Sequence, residues 1–323
     1  MNVWFYEDQT PDLRIGLRVG RVVHHERSPY QEILVADTDQ WGRMLALDNV
    51  IQTNETTEFV YHEMMAHVAL FAHPNPERVL VVGGGDGGVI REVVKHPTVR
   101  QAVLAEIDEK VIEAARRWLP SISSGLDDPR TRIDVGDGID HVARSPDTYD
   151  VIIVDSTDPV GPAVGLFSEE FYRSAFRALR DGGLFVAQTE SPFYNADLIR
   201  RVQQALRNVF PWSGMYWGVV PEYPGGFWTM SIGSRGGDPR RVPAGRYAER
   251  RFETFATRYY APDMHAAAFV LPPFVLELLP DGAPQRREAY VERFLPGAGE
   301  EAGEEAGGSG EGEDSGGPGG PAR

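Results

Sequence analysis

The sequence contains no cysteine. Disulfides, thiolate nucleophiles and zinc–thiolate centres are thereby excluded. Lysine is almost as scarce while arginine is abundant, which reads as a genomic bias rather than a functional signal. No apolar run approaches the roughly 18 residues of a membrane-spanning helix, so no membrane partner is expected. The stretch Met1 to Leu13 has neither a basic start nor an apolar core. A secretory leader is therefore not expected, and a cytoplasmic location is. A basic excess is missing as well. The formal charge is −16, and the segment Pro296 to Arg323, with seven acids and one arginine, contributes −6 of it. The remaining −10 makes nucleic acid an unexpected partner. An acidic field draws in cationic substrates, although solubility alone accounts for such a charge.

What is present divides the chain into three. Residues 1–70 carry short alternating segments, such as Leu17 to Val23, Glu32 to Ala36 and Arg43 to Asp48, separated by Gly, Asp and Asn. They predict a small antiparallel β domain, followed by a helix over about Glu58 to Ala72. Residues 71–295 form the second part, and from 76 to about 235 apolar strand-like runs alternate with segments of helical spacing. This pattern predicts an α/β domain with a doubly wound, mostly parallel sheet. Two late strands, near Met215 to Val220 and Trp228 to Ile232, are close enough to form an antiparallel hairpin at its edge. Residues 296–323 are Gly, Glu, Ala and Ser, with too few apolar groups to offset the entropy of ordering, so disorder is expected there.

The strongest local signal is Gly83-Gly84-Gly85-Asp86-Gly87-Gly88, which follows a strand and opens a helix. Glu106 ends the next strand. In a doubly wound fold this arrangement brings a nucleoside to the carboxyl ends of the strands. Glycines such as Gly83 and Gly85 let the backbone approach the ligand, and Glu106 is placed to accept both ribose hydroxyls. Asp86 narrows the choice. A carboxylate in the loop repels a pyrophosphate and equally the carboxylate of S-adenosylmethionine, but it suits a ligand ending in an ammonium alone. Decarboxylated S-adenosylmethionine is such a ligand. The competing reading has Asp86 capping the following helix, and the two roles are compatible. Asp137-Gly138 follows the third strand, where an acid can accept the exocyclic amine of adenine; a plain Asp-Gly turn fits equally well.

The second strong signal is Asp155-Ser156-Thr157-Asp158-Pro159-Val160-Gly161-Pro162, directly after the buried run Val151 to Val154. Both acids belong at the ligand-binding rim. An alkyl ammonium has a pKa of about 10.4 and must lose a proton before it can act as a nucleophile. One carboxylate can take that proton while the other holds the cation. Metal binding and turn capping remain open for this pair of acids. In the segment Tyr61-His62-Glu63-Met64-Met65-Ala66-His67 the histidines are five apart, too far round a helix for a zinc pair. Tyr61 and His62 read as donors at the domain junction, or as packed residues. Tyr223, in a Pro- and Gly-rich connection, is placed to close over a diamine. Trp4 offers a cation–π face or a core contact.

At these residues the sequence resembles the spermidine synthases, or polyamine aminopropyltransferases, from about Trp4 to Pro273. The segments that carry the resemblance are Tyr30 to Leu34, Leu47-Asp48, Phe59 to Met64, Gly83 to Gly88, Glu106 to Asp108, Gly136 to Gly138, Asp155 to Pro162, Tyr223-Pro224 and Tyr259 to Pro272. The resemblance implies a methyltransferase-type Rossmann-like domain behind an N-terminal β domain, assembled as a homodimer or homotetramer. It implies transfer of an aminopropyl group from decarboxylated S-adenosylmethionine to putrescine, with no metal and no prosthetic group. It places Gln31, Glu106, Asp137, Gly138 and Pro162 against the nucleoside of the donor or of methylthioadenosine. Asp86 and His62 fall along the aminopropyl channel, Asp155 becomes the proton acceptor, and Asp158, Tyr61 and Tyr223 orient the diamine. Two positions depart from the pattern. Thr57 stands where the family commonly has Asp, and Glu222 where Thr is frequent; an extra carboxylate there suggests a longer or more cationic acceptor. The alternatives are an amine N-methyltransferase on the same fold and a non-catalytic polyamine-binding protein.

Overall fold

Two sheets account for the twelve strands found among the described residues of the computed structural model, which are 3–157 and 161–286. Asp158, the side chain of Pro162 and the acidic tail lie outside them. The first sheet is an antiparallel meander: β1 (Val3–Thr10), β2 (Leu13–Arg27), β3 (Glu32–Thr38), β4 (Arg43–Leu47) and β5 (Val50–Asn54), in that order. Three of these elements match the alternating segments in the sequence. The outer strands β1 and β5 carry a weaker signal, because Val3–Thr10 mixes Glu, Asp and Gln into its alternation.

The helix α1 (Phe59–Ala72) connects the sheets and is buried along nearly its whole length. Residues 78–234 form the second sheet, with β6 (Arg78–Gly83), β7 (Gln101–Glu106), β8 (Thr131–Val135), β9 (Tyr149–Asp155), β10 (Leu179–Gln188), β11 (Trp212–Val219) and β12 (Phe227–Ser234). Its order is β11-β12-β10-β9-β6-β7-β8. The strands from β10 to β8 are parallel to one another, and β12 and β11 add an antiparallel hairpin at one edge. This is the Rossmann-like arrangement expected from the alternation of runs.

Strand residues alternate between the two faces, and each face has its own core. Val79, Val81, Leu104, Val151, Ile153 and Val186 pack with α1 and with α2 (Gly88–Val94). Leu80, Val82, Val103, Ile152, Val154 and Phe185 pack on the other side. The first sheet is joined to the second through α3 (Glu109–Trp118), whose Val111 and Ala114 pack on Ile33, Val35, Leu45 and Leu47. Strand β11 is the sheet edge. There the Gln285 side chain accepts from the Met215 amide at 2.8 Å and donates to the Met215 carbonyl at 2.7 Å.

Candidate active site

The chain runs from β6 through β7 to β8 on one side, then returns to β9 on the other. This reversal opens a crevice at the carboxyl ends of β6 and β9, where Gly83 and Asp155 are register partners. A cavity of about 430 Å³ lies there. The loop between β6 and α2 closes tightly on it. Gly84 has φ 71°, and a Cβ at that position would fall on the Asp155 carboxylate; one at Gly88 would fall on the His62 ring. Both positions therefore require glycine.

The cavity wall is acidic. Glu7, Asp48, Asp86, Glu106, Asp137 and Asp155 line it, and among the described lining residues there is no arginine or lysine. Asp86 is buried and splits its carboxylate between two tasks. Oδ1 accepts the Gly88 amide at 2.7 Å, as a capping residue would, and Oδ2 lies 3.5 Å from His62 Nε2. His62 is held from its other side by Glu58, which Arg91 grips with both terminal guanidinium nitrogens at 2.9 and 2.8 Å. Burial disfavours the imidazolium, yet Asp86 and Glu58 together raise the His62 pKa well above its ordinary value. Burial and the charge of Asp86 push Asp155 up to about 6, against the opposing pull of His62 and the hydrogen bond from Tyr61. One ligand-type atom each of His62, Asp86 and Asp155 fall within 4.8 Å of one another. Such a group could hold a metal ion only with His62 deprotonated, and its two carboxylate partners favour the protonated ring.

At the other end of the cavity, Glu106 closes β7 and accepts the Asp108 amide at 2.8 Å. Burial raises its pKa to about 7 despite that bond. Gln31 donates to Asp108 at 2.9 Å, so the first sheet is tied to the rim of the second. Asp137 caps the helix Gly138–Ala143 through the Ile139 amide at 2.7 Å, which satisfies the turn reading, and both Asp137 and Gly138 still line the cavity. Beyond Asp155 lies an aromatic end. The Tyr61 hydroxyl donates to Asp155 Oδ1 at 2.7 Å, and the Tyr61 ring meets Tyr223 edge-on at 5.7 Å between centroids. Tyr223 in turn lies 4.5 Å from Trp228.

A family model described as the spermine/spermidine synthase domain matches residues 58–239, more than half of the chain. The chain belongs to the spermine/spermidine synthase family. The model of the spermidine synthase tetramerisation domain matches residues 3–55. A polyamine aminopropyltransferase of Moorella thermoacetica is 56% identical over 286 residues, covering 88% of this chain and 99% of that protein. Its counterpart in Bacillus subtilis is 50% identical over 277 residues, covering 86% and 99%. Among solved structures, a spermidine synthase in complex with the transition-state analogue AdoDATO is similar, with a TM-score of 0.81 and 40% identity. The Thermotoga maritima spermidine synthase gives 0.80 and 40%; each covers 86% of this chain and 94% of the solved one.

Within this spermidine synthase fold, Gln31, Tyr61, His62, Gly83, Gly85, Asp86, Glu106, Asp137, Gly138, Asp155 and Tyr223 all line the one cavity. Trp4 does not. It is 47% exposed and stacks on Tyr6 on the outer face of β1. The period of two puts Phe5 and Glu7 on the opposite, inner face, and Glu7, 3% exposed, lines the cavity instead. Gln52, Gln188 and Trp228 also line it, and sequence reasoning misses all three. Of these four residues only Glu7 has a local signal, the alternation of β1. His67 lies in a separate buried cluster, 3.0 Å from Glu92 and 3.0 Å from His96, so the two histidines of α1 serve different sites.

Proposed function

We propose that this protein is a spermidine-forming aminopropyltransferase that uses decarboxylated S-adenosylmethionine and putrescine. One observation carries the reading: acids line the cavity, and no arginine or lysine among the described residues joins them. Both substrates are cations, and a donor retaining its methionine carboxylate would meet Asp86. Glu106 accepts the ribose hydroxyls, and Asp137 accepts the adenine amine. Gly83, Gly85, Gln31, Gly138 and Pro162 shape the nucleoside end. Asp86 receives the donor's ammonium. Tyr61, Tyr223 and Asp158 hold the diamine with one nitrogen at Asp155.

The acceptor nitrogen gives its proton to Asp155 and its lone pair to the methylene next to the sulfonium. The carbon–sulfur bond breaks, and its electrons return to sulfur as the neutral thioether of methylthioadenosine. The leaving group is already activated, so alignment of the two substrates supplies much of the acceleration. The similarity of residues 3–55 to the tetramerisation domain supports a homo-oligomer. Among the described residues no helix is long and apolar enough to cross a membrane; a cytoplasmic location goes with the proposed substrates.

Mass spectrometry of decarboxylated S-adenosylmethionine mixed with putrescine, cadaverine, agmatine or spermidine tests the reading. Spermidine and methylthioadenosine are expected from putrescine. Turnover of intact S-adenosylmethionine, with none of the decarboxylated form, would replace it with methyl transfer. Glu106 adds a second expectation. With its pKa near 7 it is mostly neutral at pH 6 and mostly charged at pH 8. Affinity for methylthioadenosine should rise roughly tenfold over that interval, and Glu106→Gln should flatten the curve. Calorimetric titration at several pH values reads this directly; a flat wild-type curve would remove Glu106 as the ribose acceptor.

A further inference from the structure

The connection between β11 and β12 carries Tyr223 into the cavity and is anchored at two points. The Tyr223 hydroxyl donates to the Gln52 carbonyl at 2.8 Å. The other anchor is the residue before it. Glu222 is buried and is not among the residues lining the cavity; its Oε2 instead accepts from the Thr57 hydroxyl at 2.9 Å. That hydroxyl is held in turn. Asn54 Nδ2 donates to it at 2.8 Å, and its single proton has two acceptors in reach, Glu222 Oε2 at 2.9 Å and Asn54 Oδ1 at 3.0 Å, of which the carboxylate is the nearer and the stronger. Asn54 Oδ1 accepts the amides of Thr56 at 3.1 Å and Thr57 at 3.0 Å. Asn54 ends β5, and the turn it fixes leads into α1, which bears Tyr61 and His62. The contact therefore joins two segments that each deliver a tyrosine to the acceptor end.

Thr57 and Glu222 are also the two positions that depart from the family pattern, with an acid expected at the first and a threonine at the second. The structure brings these two positions into one contact, which pairs a hydroxyl with a carboxylate. The geometry does not support Glu222 as a reader of acceptor length, because its carboxylate is engaged away from the cavity.

We infer that the Thr57–Glu222 pair is a latch that positions Tyr223 against Tyr61 and so sets affinity for the acceptor amine. This rests on the aminopropyltransferase reading, and both residues are positioning residues. Two readouts keep the claims separate: hydrogen exchange of the amides of residues 220–226 without substrate, and steady-state kinetics with varied putrescine at saturating donor. Thr57→Val and Glu222→Ala should each speed exchange in 220–226. Each should raise KM for putrescine about tenfold, the scale of one lost hydrogen bond to a charged group, with kcat within about twofold. The double variant should be no worse than either single one, since both remove the same contact. Thr57→Asp alone sets a second carboxylate against the buried Glu222 and should be the most impaired. Thr57→Asp combined with Glu222→Thr keeps both groups and should restore KM and protection. Unchanged exchange and KM in Thr57→Val, no rescue in the reciprocal pair, or a shifted preference between putrescine and cadaverine in Glu222→Ala would each overturn the latch. A wild type that makes no spermidine would overturn the functional reading, while the exchange data would still decide the latch.

Discussion

Asp155→Asn lowers kcat roughly a thousandfold, the usual scale for loss of a general base, and leaves methylthioadenosine binding close to wild type. The expectation follows from the position of the side chain. Asp155 ends β9 opposite Gly83, its Oδ1 accepts from Tyr61, and Asp86 stands close enough to raise its pKa. A carboxylate titrating near 6 is charged at neutral pH and accepts a proton more readily than an ordinary aspartate does. Because the charged form is the working one, wild-type activity should climb as pH rises through about 6. A further climb follows as the amine, with a free pKa of about 10.4, loses its own proton. The Asn variant should lose the first rise and keep the second. Pre-steady-state turnover across pH, with binding measured separately, checks both. An unaltered profile with full turnover would remove Asp155 as the base.

Asp86→Asn should cost about a hundredfold in kcat/KM for the decarboxylated donor and tighten inhibition by intact S-adenosylmethionine. The two effects share one cause. The carboxylate attracts a terminal ammonium and repels a neighbouring carboxylate, and hydrogen bonds to charged groups contribute about 1.5–3 kcal/mol. The variant keeps an oxygen for the Gly88 amide, so the loop retains its cap. His62 keeps Glu58 as a partner but loses the negative charge that does most to raise its pKa, so its imidazolium is less firmly held. Steady-state kinetics with both nucleosides separates the outcomes. A variant with unchanged donor KM and unchanged inhibition would show that the loop acid only caps its helix.

Much of this site is readable because its residues sit at chain positions with a strong local signature. A glycine run between an apolar strand and a helix marks a close backbone approach to a ligand, and the acids that end β7 and β9 must lie at the rim of a parallel sheet. The aromatic end of the cavity is harder. Tyr61 and Tyr223 are 162 positions apart and meet only because α1 packs beneath the β11–β12 hairpin. Glu7 belongs to a polar strand whose register is set by pairing with β2, and nothing local distinguishes its face from that of Trp4 except the alternation with Phe5. Asp108 belongs to a recognisable motif, yet its grip on Gln31 and Ser28 depends on the docking of the first sheet. The Thr57–Glu222 pairing is hidden in the sequence for the same reason: two separate oddities become one contact only in three dimensions.

The glutamine that bonds to Met215 has a bearing on solubility. β11 is an outermost strand, and an uncovered outermost strand offers its amides and carbonyls to any passing chain as a template for further pairing. Gln285 answers both backbone groups of one residue there, from a segment that lies past the end of the matched catalytic domain. A polypeptide cut just after that domain would leave the rim bare and open to pairing with the edge of another chain's sheet.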